Sequence, residues 1–120
     1  VAKRKKKPAA ARPRAAEKLA APTESYADDA FGVLELRGAM TPKTRLAYAE
    51  IGGVREDAWQ RQVEFLFERL VVRWTIHDLP IERQKELLAR FRVATSDERA
   101  WIRTVLRTHL TEHFPEMQTP

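Results

Sequence analysis

Cysteine is absent from the 120 residues. No disulfide framework and no thiolate metal site can form. Glycine is scarce, with 4 residues, and the 7 prolines fall short of a collagen-like or wholly low-complexity chain. No run approaches the roughly 18 consecutive apolar residues of a membrane-spanning helix. The sequence holds no Gly-rich phosphate loop and no G-x-S-x-G elbow, and its only serines are Ser25 and Ser96. The expectation is therefore a non-enzymatic protein with no catalytic residues, no cofactor and no metal. The length accommodates one small domain.

What is present is charge, unevenly placed. The formal net charge is +5. Residues 1–22 hold eight basic groups against Glu17 alone, a net of +7, whereas residues 23–120 hold fourteen basic and sixteen acidic groups, a net of −2. The basicity belongs to a leader built from Lys, Ala, Pro and Arg. Its apolar side chains are too small to offset an ordering cost of about 1–2 kcal/mol per residue. A disordered tail over residues 1–22 is expected. Lys3, Arg4, Lys5, Lys6, Lys7, Arg12 and Arg14 could meet phosphates by counterion release, a salt-dependent and sequence-blind mode. The tail lacks the apolar core of a secretory signal.

Beyond the tail, residues 23–30 read as an acidic linker, residues 31–114 as a single helical domain and residues 115–120 as a C-terminal tail. Within 31–37, Leu34 and Leu36 alternate with Val33, Glu35 and Arg37, and Gly38 closes the run, which makes it the one expected strand. Thr41-Pro42 opens a short helix by a hydroxyl cap followed by proline at the first position, and Gly52-Gly53 stops it. A long helix is expected from about Asp57 to Ile76. At 3.6 residues per turn, Trp59, Val63, Leu66, Phe67, Leu70 and Trp74 fall within an arc of about 100°. Ala58, Phe65, Val72 and Ile76 fall on an opposite arc, and a helix apolar on two faces is either central in its bundle or shares one face with a partner. Phe65, Val72 and Ile76 are accordingly the expected partner-binding residues.

Asp78 and Pro80 suggest a further helix to about Arg92. Thr95 and Glu98 have capping-box spacing ahead of a last helix ending near His113, before Pro115. The expected fold class is thus mainly α, a small bundle of about four helices with one short N-terminal strand.

Two constellations on the last helix bear on chemistry. Arg99, Arg103 and Arg107 recur every four residues as a basic stripe, which reads first as a solvated face engaged in ion pairs. His109-Leu-Thr-Glu112-His113 has the form H-x-x-E-H, with two imidazoles one helical turn apart. A metal needs a third ligand, and only Glu116 follows. Partly buried histidines at a helix C-terminus are the simpler expectation.

The order VLELRG, MTPKTRLAYAEI, FLFERLVVRW and IHDLPIERQKELLARF resembles the tail assembly chaperones of long-tailed phages that infect actinobacteria. The resemblance covers about residues 31–93 and is carried by pattern together with Thr41, Pro42, Trp74 and Pro80. It implies no catalysis. It implies binding to tape-measure and tail-tube proteins in the host cytoplasm, with self-association open and no membrane partner. The other function class is a small non-specific nucleic-acid-binding protein anchored by its tail.

Overall fold

The computed structural model describes residues 22–52 and 57–120. The expected disordered tail, with its lysines and arginines, lies outside the described residues, as does Gly53. The described elements are β1 (Thr23–Asp28), β2 (Gly32–Arg37), α1 (Pro42–Ile51), α2 (Ala58–Leu70), β3 (Val71–Ile76), β4 (Leu79–Ile81), α3 (Gln84–Arg92) and α4 (Ser96–His113). The strands form one antiparallel sheet in the order β1-β2-β3-β4. The fold is α+β, which corrects the expectation of a mainly α bundle with one strand.

The largest correction lies in the expected helix 57–76, which stops at Leu70 and continues without a turn as β3. Val71, Val72, Trp74, Thr75 and Ile76 are strand-preferring types, because β-branched and aromatic side chains suit a pleated, half-buried surface. The helical reading survived that signal because of a β-bulge. Glu35 pairs with Arg73 while Leu36 pairs with Val71, so Val72 is the extra residue. The bulge puts Val71 and Trp74, three residues apart, on the same buried face. A regular strand would space them by two or four, whereas a spacing of three is also what a helix produces.

β3 turns into β4 through His77 and Asp78, both at positive φ (50° and 65°), with Ile76 opposite Leu79. Two consecutive left-handed residues make the type I′ geometry that matches strand twist. Asp78 and Pro80 thus belong to a hairpin and not to a helix start. The residues expected to be an acidic linker form edge strand β1 instead, and its loop is closed by the Ala30 N–H donating to Asp28 Oδ1 at 2.8 Å.

Other expectations hold. Thr41 caps α1 by accepting from the Thr44 N–H at 3.1 Å. The capping box of α4 is complete: Thr95 Oγ1 accepts from the Glu98 N–H, and the Thr95 N–H donates to Glu98 Oε1. Arg90 bonds the same carboxylate and holds Glu98 below the usual carboxylate range.

One face of the sheet carries Leu34, Leu36, Val71 and Trp74 into the core. The helices answer with Leu66, Phe67 and Leu70 of α2, Leu87 and Phe91 of α3, and Ile102, Val105, Leu106 and Leu110 of α4. Fully burying one such side chain contributes about 1.5–3 kcal/mol. On the opposite face Arg73 bridges Glu35 at 2.7 Å and Glu82 at 2.6 Å. Residues 115–120 are not a free tail. The Tyr48 hydroxyl donates to the Gln118 carbonyl at 2.5 Å, and both Phe114 and Pro120 are buried.

Candidate functional sites

The three residues expected to share a free helix face do not share one. Phe65 stays on α2, half-buried, with its ring 6.2 Å from that of Tyr48 and the Arg69 guanidinium above it. Val72 is the bulge residue of β3, and Ile76 ends that strand packed against the core. Because the helix ends at Leu70, the second apolar face never forms. Of the expected core stripe, Trp59 is partly exposed under Arg103, while Ala58 from the opposite arc is buried.

An apolar groove lies elsewhere. Pro42, Leu46, Tyr48 and Ala49 of α1 face Met117 of the C-terminal segment across a cavity of about 790 Å³. Leu46 is 68% exposed, a large aliphatic side chain that nothing in the chain covers among the described residues. Some polar groups at its rim are engaged, although Arg45 Nε is buried without a hydrogen-bond partner. Arg45 pairs with Glu116 and stacks on Phe114, and the Tyr48 hydroxyl is held by Gln118. Helical spacing alone explains Pro42, Leu46 and Ala49 on one side of α1. The periodicity of so short a helix, with one buried residue, gave no sign that this side opens on a groove.

A second groove, about 740 Å³, is lined by Trp59, Ala94, Arg99, Arg103, Thr104 and Arg107 among others. The arginine stripe expected to form ion pairs does something different. Arg99 donates to the Arg92 and Ala94 carbonyls, and Arg103 and Arg107 donate to the Pro120 carbonyl. Their guanidiniums also lie over Phe91 (Arg99, 5.1 Å) and Trp59 (Arg103, 4.2 Å). Among the described residues none of the three is bridged to an Asp or Glu side chain; Arg103 and Arg107 converge instead on one oxygen of Pro120.

The third constellation joins β1 to α4. Glu24 and Tyr26 lie opposite Leu36 and Leu34, hence on the core-facing side of the sheet. They meet not an apolar layer but the two histidines of the H-x-x-E-H run. The Tyr26 hydroxyl is 2.7 Å from His109 Nδ1, and Glu24 Oε1 is 2.5 Å from His113 Nε2. His109 is fully buried, and its Nε2 lies 2.7 Å from the Arg37 carbonyl. A carbonyl only accepts, so Nε2 carries the proton and Nδ1 accepts from Tyr26. Burial, first among the causes, pushes the His109 pKa below its ordinary value and keeps the ring neutral. Burial likewise raises the Tyr26 pKa and keeps the phenol protonated. The acid nearest the two histidines is therefore Glu24, which lies 89 residues from His113. Glu116, the expected candidate, is bound to Arg45.

Comparison with family models, curated proteins and solved structures finds no match. Among the described residues, no helix is long and apolar enough to cross a membrane.

Proposed function

We propose that the protein is a non-enzymatic interaction module whose α1 groove receives an apolar element of a protein partner. The observation that carries this reading is Leu46, a large aliphatic side chain 68% exposed on a groove whose lining is mainly apolar. Small-molecule sites ordinarily keep a few polar groups free to orient a ligand. Here Pro42, Leu46, Ala49 and Met117 make the lining mainly apolar, surface of the kind that anchors a helix or strand of another protein. The phage tail assembly role, with tape-measure or tail-tube protein as partner in the host cytoplasm, rests on the residue pattern over 31–93. It is tested by titrating the full chain into the tape-measure and tail-tube proteins of its own genome. Saturable binding to one of them supports the role, and heat-silent, unsaturable mixing with both contradicts it.

A second reading is favoured by the arginine groove. Arg99, Arg103 and Arg107 line one groove beside Trp59, a surface to which a phosphate backbone could attach together with the basic leader. Under this reading Arg103→Glu with Arg107→Glu weakens binding to duplex or single-stranded DNA and flattens its salt dependence. Affinity and salt slope that stay unchanged would remove the groove from the account. Loss of all binding on deleting residues 1–22 would assign it to the leader.

A further inference from the structure

We infer that Glu24, His109 and His113 form a site for one divalent transition-metal ion of the zinc type. The argument begins with spacing. Residues two apart on a strand lie about 6.6–6.8 Å apart on one face, and residues four apart on a helix sit about 5–6 Å apart. Glu24 and Tyr26 on β1 therefore match His113 and His109 on α4 rung for rung, and both rungs are made. The carboxylate and the two imidazoles each bring a ligand atom, and these three atoms all lie within 4.8 Å of one another.

The chemistry of the donor set fits. A carboxylate with two imidazoles suits a borderline ion, and a three-residue set leaves a position for solvent. The outer shell is already in place. A metal-bound histidine usually donates its other ring N–H to a carbonyl or carboxylate, which fixes the tautomer. His109 does this through Nε2 to the Arg37 carbonyl, leaving Nδ1, which accepts from the Tyr26 hydroxyl, as its ligand atom.

Ligand atoms around a tetrahedral ion with bonds of about 2.0–2.1 Å are about 3.3 Å apart. The set must therefore contract modestly. His109 is fixed by burial, but the side chains of His113 and Glu24 are 32% and 41% exposed and free to close. Binding exchanges the Tyr26–His109 and Glu24–His113 hydrogen bonds for metal–ligand bonds, the proton on His113 Nε2 leaves to solvent or moves to Nδ1, and the Tyr26 hydroxyl turns aside as a neutral phenol.

The test uses the full chain and two ions, Zn²⁺ by calorimetry and Co²⁺ by its visible absorption. One ion per chain is expected. His113→Ala and Glu24→Gln should each weaken uptake by at least the about 10- to 100-fold that even an outer-shell loss produces. His77→Ala, at the remote hairpin, should change nothing. A measurement on the unaltered protein stands beside the variants: the side-chain nitrogen resonances of His109, in which Zn²⁺ should shift Nδ1 far more than Nε2. Absence of one-to-one uptake, uptake indifferent to His113→Ala, or unmoved His109 nitrogens would overturn the site. The ladder would then be a hydrogen-bonded clasp and nothing more.

Discussion

Gly32→Ala is expected to unfold most of the protein at temperatures where the parent is intact. Gly32 sits at φ +101°, and a Cβ built there falls 2.1 Å from the Thr75 carbonyl oxygen. The obstacle is backbone in the neighbouring strand, so no side-chain rotation relieves it. β2 would have to part from β3 where Val33 pairs with Thr75 and Leu34 with Trp74. Strain of this kind with loss of core pairing reaches the exceptional end of single substitutions, about 4–5 kcal/mol. Urea denaturation followed by circular dichroism measures it. A loss under about 1 kcal/mol would mean that the two strands are not in close approach there.

Trp74→Ala should cost about 3–5 kcal/mol, as truncating a buried large aromatic typically does. Trp74 is wholly inaccessible. Its ring meets Phe67 edge-on at 6.1 Å and Trp101 at 6.4 Å, and Arg90 lies over it at 4.8 Å. Its indole N–H donates to the Phe31 carbonyl at 2.9 Å, which ties the β1–β2 loop to β3. Trp74→Phe separates the two contributions. It preserves most of the ring packing and should cost nearer the about 1 kcal/mol of one hydrogen bond, plus the volume lost. If alanine and phenylalanine were equally mild in chemical denaturation, Trp74 would not be the centre of this core.

The contrast between α4 and β1 explains what could be read from residues alone. α4 announces itself through Thr95 and Glu98 at one end, Pro115 beyond the other, and an inward set from Ile102 to Leu110 at helical spacing. Every signal is local. β1 has no such signal, because its inward positions, Glu24 and Tyr26, face histidines across the fold rather than an apolar layer. A strand whose buried side is polar shows no alternation of hydrophobicity. The β3–β4 hairpin hid for another reason. Its turn is His77-Asp78, where glycine or asparagine is the usual mark of positive φ.

The candidate sites divide the same way. Both histidines of the metal cluster are visible in H-x-x-E-H, and the missing carboxylate is not, since only the sheet brings Glu24 to them. The arginine stripe was visible as a stripe, but its carbonyl partners depend on where residues 92–94 and Pro120 end up. Phe65, Val72 and Ile76 do not share a face, because the helix that was to align them ends at Leu70. Leu46, on a short helix whose pattern held no surplus, is the large aliphatic side chain left exposed beside the groove.

The groove on α1 is tested most directly by comparing Leu46→Glu with Leu79→Glu. The two leucines are almost equally exposed, at 68% and 71%, but Leu79 lies on β4 and does not line the groove. Neither substitution removes core packing, so both variants should melt close to the parent. Binding to the tape-measure or tail-tube protein, measured by calorimetry, should fall at least about tenfold for Leu46→Glu, because burying an unpaired carboxylate in an apolar groove is costly, and hold for Leu79→Glu. Equal affinity for Leu46→Glu and the parent, with both folded, would contradict the claim that this groove is where the protein meets its partner.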